Sequence, residues 1–207
     1  MDLINKTTLA NAYFPNKASD TRLKNDYYPT PPIGTLTLLK NYPVPKRIWE
    51  PAAGRGHISA ELVRNGHEVI STDLFTYENS LVQTKFNIDF LTADRQDVDG
   101  VITNPPFGSN LPEKLIYRML DTHGYDFLAI LCRITFMESA RRYKLFKEHP
   151  PTKILAFSER INCNEDYYQI NHGIGGMICY GWFIWDKKAL DTNRIEWVKP
   201  SNYINDL

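Results

Sequence analysis

The chain has 207 residues, with 24 Lys and Arg balancing 24 Asp and Glu, so its formal net charge is +0. That length suits one compact domain, and a 43% hydrophobic fraction excludes intrinsic disorder as a description of the whole. The neutral balance also excludes nucleic-acid binding by bulk charge alone, leaving local patches as the means of meeting any such partner.

Along the chain, residues 1–26 are polar and aperiodic, an expected N-terminal arm ahead of a domain over 27–207. The opening residues lack a secretory pattern, and no run approaches the ~20 apolar residues of a membrane span. Cys132, Cys163 and Cys179 are widely spaced, without a Cys-x-x-Cys pair. A disulfide framework and a zinc site are therefore not expected, and a reducing cytoplasm is.

Tyr27-Tyr28-Pro29-Thr30-Pro31-Pro32 is extended by its prolines, and a short helix follows through Ile33, Leu36, Leu38 and Leu39 until Pro43. Strands are predicted at Arg47–Glu50, Glu68–Asp73, Phe86–Leu91, Val101–Thr103, Phe127–Cys132, Lys153–Phe157 and Tyr180–Trp185. Helical spacing falls at Ile58–Val63, Leu111–Leu120 and Ser139–Glu148. Alternating strands and helices imply a mostly parallel sheet of seven strands with helices on both faces. No convincing helix lies between Phe157 and Tyr180, so the last strand should be antiparallel, closing a hairpin through a long loop.

Two segments carry chemistry. In Glu50-Pro51-Ala52-Ala53-Gly54-Arg55-Gly56, glycines stand where a strand turns into a helix, which allows positive φ and close backbone approach. Asp73 follows Gly54 by 19 residues, at the tip of the next strand, placed for the hydroxyls of a ribose. The full dinucleotide fingerprint and the P-loop Lys-Ser/Thr are both missing, so a nucleoside without phosphates fits better than a nucleotide.

Asn104-Pro105-Pro106-Phe107 follows another strand directly. The Asn104 amide oxygen and the Pro105 carbonyl are acceptors able to converge on one NH2 group. The prolines hold them rigid, and Phe107 offers a ring face for stacking on a planar group. This set suits alkylation of an exocyclic amino nitrogen, whose lone pair is freed when two fixed acceptors hold its hydrogens.

From Tyr28 to Trp185 the chain resembles the class I S-adenosylmethionine-dependent methyltransferases of Rossmann-like fold, specifically those modifying adenine N6 in DNA. The resemblance makes Asn104, Pro105, Pro106 and Phe107 the catalytic tetrapeptide. It assigns cofactor binding to Glu50, Pro51, Ala52, Gly54, Gly56, Asp73, Leu74 and Asn104. Asp89-Phe90-Leu91 is similar to the segment that meets the cofactor's adenine, and Tyr28 and Thr30 belong to a Thr-Pro motif near its methionine end. Cofactor motifs preceding the catalytic one give the order of the gamma group. The ending Tyr180–Asp186 is similar to the final hairpin of small phage and prophage enzymes. Ala53 and His57 depart from the family pattern.

Gamma enzymes carry a target-recognition domain after that hairpin; only Lys187–Leu207 follow here, so none is expected. Low or short sequence specificity follows, or a separate specificity partner. Phosphate contacts are assigned to Arg133, Arg141, Arg142, Lys144 and Arg160, and groove contacts to Tyr167 and Tyr168 in the long loop. The implied activity is methyl transfer from S-adenosylmethionine to adenine N6 in single- or double-stranded DNA, leaving S-adenosylhomocysteine and using no metal. Transfer to an RNA base or a glutamine amide, and a non-catalytic cofactor-binding subunit, are the alternatives.

Overall fold

A computed structural model of the protein describes residues 27–164, 171–190 and 194–207. The expected N-terminal arm and the loop residues Tyr167 and Tyr168 lie outside them.

The first helix, α1 (Pro32–Asn41), starts on a proline whose fixed φ suits a first turn. It stops where Tyr42 becomes extended ahead of Pro43. Strand β1 (Arg47–Glu50) leads through the glycine segment into α2 (His57–Arg64), and β2 (Glu68–Thr72) follows. After the two-residue β3 (Thr84–Lys85) come β4 (Gly100–Thr103) and α3 (Leu111–Tyr117), which widens into a π-type turn through Thr122. Strand β5 (Phe127–Arg133) and the short α4 (Tyr143–Glu148) precede β6 (Lys153–Phe157), β7 (Tyr180–Asp186) and β8 (Arg194–Val198).

The eight strands form one sheet in the order β3-β2-β1-β4-β5-β7-β6-β8. All neighbours are parallel except β7, which runs antiparallel to both β5 and β6. Among the described residues between β6 and β7 there is no crossover helix, which makes this the natural pairing.

Side chains alternate between two covered faces, as the two-residue period of a strand requires. Ile48, Ile102, Leu131 and Trp182 pack with Ile33, Leu38, Ile58 and Leu62 of α1 and α2. Trp49, Val101, Ile130 and Phe183 pack on the opposite face with Leu115, Ile116 and Leu145. Two buried indoles add ties, one from the sheet to α1 and one between the paired strands β1 and β2. Trp182 Nε1 donates to the Gly34 carbonyl at 2.8 Å, and Trp49 Nε1 to Thr72 Oγ1 at 2.9 Å. Losing such a buried partner costs about 1–3 kcal/mol.

Two details differ from the sequence expectation. The third strand is Thr84–Lys85, not Phe86–Leu91. Asn87 turns to φ 60° and Asp89 Oδ1 accepts the Leu91 N–H at 2.9 Å, so this apolar run curls into a turn and Phe90 is buried without pairing. The eighth strand was not anticipated; it extends the sheet by pairing parallel with β6. Its charged residues and exposed Ile195 and Trp197 disguise an edge strand as a tail. Among the described residues no helix is long and apolar enough to cross a membrane.

Candidate active site

The chain leaves β1 toward β2 on one side and reaches β4 on the other, so the carboxyl ends of these three strands face a crevice at the switch in strand order. A cavity of about 390 Å³ occupies it, within the range of small-molecule and cofactor sites. Glu50 ends β1, Asp73 follows β2 and Asn104 follows β4; all three line the cavity.

The glycine segment is tied to Asp73. Gly54 sits at φ 55° and its N–H donates to Asp73 Oδ2 at 2.7 Å, while the Phe75 N–H donates to Oδ1 at 2.8 Å. Burial raises the Asp73 pKa, and these backbone donors oppose the shift. The close approach to Gly54 comes from the protein itself: a Cβ there would lie 2.4 Å from the Tyr27 ring. Gly56 is set back from the cavity. At φ 85° it starts α2, and a Cβ would meet Val82 at 2.6 Å.

Glu50 is only 2% exposed. Its Oε2 accepts the Ser59 N–H at 2.8 Å and the Ser59 hydroxyl, which in turn contacts the Ser71 hydroxyl at 2.6 Å. Burial pushes its pKa up to about 8, against the Ser59 hydrogen bonds. Asp73 and Asp89 line the cavity beside Glu50, which its raised pKa keeps largely protonated near neutral pH, and among the described residues no Lys or Arg lines it. Such a site favours a cationic guest and disfavours phosphates.

The Asn104 amide has a settled orientation. Its Nδ2 donates to the Tyr28 carbonyl at 2.8 Å and to Thr30 Oγ1 at 3.1 Å. A carbonyl only accepts, so nitrogen must face Tyr28 and oxygen must point the other way. That oxygen, Oδ1, is buried without a hydrogen-bond partner. Leaving a buried acceptor unpaired costs about 1–3 kcal/mol, a penalty found where a ligand completes the bond. Pro29 and Pro31 keep the Tyr28–Thr30 segment extended, which presents its carbonyl and hydroxyl to Asn104.

Of the residues assigned to the cofactor, Tyr28, Thr30, Glu50, Pro51, Ala52, Gly54, Asp73, Leu74, Asp89, Phe90 and Asn104 line the cavity. In the tetrapeptide Pro106 also lines it, whereas Pro105 is buried behind and Phe107 faces a smaller neighbouring depression. The sequence reading passed over Tyr27, Phe75 and Tyr77 in the cavity wall. The Tyr27 and Tyr77 rings stack with centroids 4.9 Å apart, and the Tyr27 hydroxyl lies 3.4 Å from His57 Nδ1. The tyrosine doublet beside Thr30 could have drawn attention to Tyr27; nothing in the sequence distinguishes Tyr77.

The basic residues divide. Arg142 donates to the carbonyls of Phe136 and Glu138 at 2.7 and 2.9 Å and stacks on the Phe136 ring, a bracing role within the fold. Arg141 pairs with Glu113 at 2.9 Å and Lys144 with Glu148 at 3.6 Å. Arg133 and Arg160 are exposed. Among the described residues no cluster of three or more His, Cys, Asp or Glu is placed to hold a metal.

No family model and no curated protein matches this sequence. Solved structures do match. A provisionally assigned type I restriction enzyme modification subunit from Vibrio vulnificus aligns over 93% of this chain with TM-score 0.57 and 14% identity. The chain spans about half, 49%, of that subunit. A provisionally assigned RNA methyltransferase from Pyrococcus horikoshii aligns over 75% of this chain and 81% of its own, with TM-score 0.50 and 17% identity. A provisionally assigned hemolysin from Lactococcus lactis aligns over 84% and 95%, with TM-score 0.54 and 11% identity. Sheet order, switch-point cavity and these neighbours together establish the Rossmann-like fold of the class I methyltransferases.

Proposed function

We propose that the protein is an S-adenosylmethionine-dependent methyltransferase acting on the exocyclic N6 amino group of adenine in DNA. The observation that carries this reading is Asn104 Oδ1, a buried acceptor without a partner, on a residue that lines the cavity together with Asp73 and Asp89. When bound, S-adenosylmethionine supplies an electrophilic methyl on a cationic sulfonium. Asp73 and Asp89 would hold it: Asp73 keeps acceptor capacity for ribose hydroxyls beyond its backbone bonds, and the two carboxylates suit the positive charge. Glu50, largely protonated near neutral pH, braces the wall through Ser59. Phe90 and Leu74 supply apolar surface for a base.

On the acceptor side, Asn104 Oδ1 accepts one N–H of the amine, and the proline-braced backbone keeps that oxygen in place. A fixed acceptor stabilises the charge that develops on the amine hydrogens. Once the N–CH3 bond has formed and the S–CH3 bond has broken, the methylated nitrogen is acidic and its proton passes to water, so no titrating base is required at this position. A duplex adenine must leave its stack to reach Asn104, at a cost of a few kcal/mol that unpaired adenine avoids. The fold similarity of this chain to a structure named as an RNA methyltransferase supports transfer to an RNA base as the second reading.

Incubation with methyl-labelled S-adenosylmethionine and, separately, DNA, RNA and protein tests the proposal. Label is expected in DNA, recovered as N6-methyladenine. Label confined to RNA or protein, or found on another base, contradicts it.

A further inference from the structure

Phe107 walls a second depression of about 150 Å³, whose chemistry is opposite to that of the larger cavity. Arg133, Arg141 and Arg142 line it, with Glu113 as its one carboxylate among the described residues. Glu113 Oε1 accepts from both Arg141, at 2.9 Å, and Arg142, at 3.2 Å. Arg133, the last residue of β5, has no carboxylate partner among the described residues. Its guanidinium lies 5.5 Å from the centre of the Phe107 ring, and its hydrogen bond goes to the neutral Tyr180 side chain across the β5–β7 ladder. Three guanidinium groups against one carboxylate leave two positive charges in excess. Arg142 is held by the carbonyls of Phe136 and Glu138, so the positive wall is fixed in place.

An acid-lined cavity and an arginine-lined depression thus flank Pro106 and Phe107. A free nucleobase or a glutamine side chain has no group for the second. A nucleotide within a strand has one. We infer that this depression holds a backbone phosphodiester of the DNA strand, adjoining the adenine whose amine meets Asn104. The inference rests on the proposed function and narrows its substrate to a base carried on a phosphodiester chain. Guanidinium matches the planar, paired geometry of phosphate oxygens, and Arg133, without a carboxylate partner among the described residues, has donors beyond its bond to Tyr180 to offer them.

Binding of a short fluorescein-labelled single-stranded DNA oligonucleotide, followed by anisotropy across a salt series, tests the site, with methyl transfer to the same oligonucleotide measured in parallel. Arg133→Gln and Arg141→Gln are expected to weaken binding several-fold and to lower the salt slope by about one unit each. Arg133→Lys, which keeps the charge, should retain most of that slope. Glu113→Gln, which removes the opposing charge, should tighten binding. Both arginines substituted are exposed, so unchanged thermal stability of their variants is the accompanying control. An unchanged affinity and slope in Arg133→Gln overturns the site, as does failure of the native protein to bind the oligonucleotide. Altered slopes without any methyl transfer leave the site standing and remove the DNA-methylation reading. Methyl transfer with unaltered slopes removes the site and leaves that reading.

Discussion

At the residue scale, the orientation of Asn104 and the state of Glu50 define the cavity. The first comes from two hydrogen bonds to a proline-braced segment 74 and 76 residues earlier in the chain. The second comes from burial, and it makes stability depend on pH. A carboxyl that titrates near 4.5 in the unfolded chain and about 8 in the folded one binds more protons folded than unfolded between those values. Its contribution is therefore fully present below about pH 4.5 and is lost as pH rises toward 8, at no more than about 1.4 kcal/mol per pH unit. Glu50→Gln keeps an oxygen for the Ser59 donors and cannot ionise. The variant should gain stability relative to the native protein as pH rises from 5 to 8, measured by urea unfolding at each pH. A difference that stays constant over this range contradicts the assignment. The placement of Asn104, Asp73 and Gly54 around the cavity was legible in the sequence because it is local, set by residue type and position after a strand, whereas Gly56, assigned to the cofactor, is set back from it. The settled amide of Asn104 was not legible, since it depends on a carbonyl brought from Tyr28 by folding. The setting of Arg142 was not legible for the same reason: a charge in sequence says nothing of the carbonyls that hold it.

At the element scale, the turn between β1 and α2 sets the cavity floor. Gly56 takes φ 85° and leaves no room for a methyl group beside Val82, yet does not line the cavity. A left-handed conformation costs a non-glycine residue about 1–2 kcal/mol before any clash. Gly56→Ala should accordingly lower unfolding stability by roughly 1–3 kcal/mol. A loss below ~0.5 kcal/mol in a urea titration contradicts the strain argument. The major strands and both long helices were legible, because buried parallel strands read as apolar runs and amphipathic helices keep their period. Phe86–Leu91 defeats that rule: Phe90 is buried and, with Leu91, lines the cavity rather than pairing in a ladder. Strand β8 defeats it in reverse, with Ile195 and Trp197 turned outward at the sheet edge.

At the scale of the whole molecule, a chain of zero net charge is segregated by sign along the carboxyl edge of its sheet. Acids line the crevice at the switch point, and arginines line the depression beyond Phe107. Composition conceals this, since the opposite regions cancel in the sum. The arrangement divides the site into a guest-holding side built on Asp73 and an amine-holding side built on Asn104. Paired measurements on Asn104→Ala and Asp73→Ala test that division most directly, with S-adenosylmethionine affinity by calorimetry and methyl transfer to DNA measured for each. Asn104→Ala is predicted to abolish transfer with cofactor affinity nearly unchanged, and Asp73→Ala to weaken cofactor binding by ~1–3 kcal/mol. Cofactor binding lost in Asn104→Ala and preserved in Asp73→Ala would contradict it.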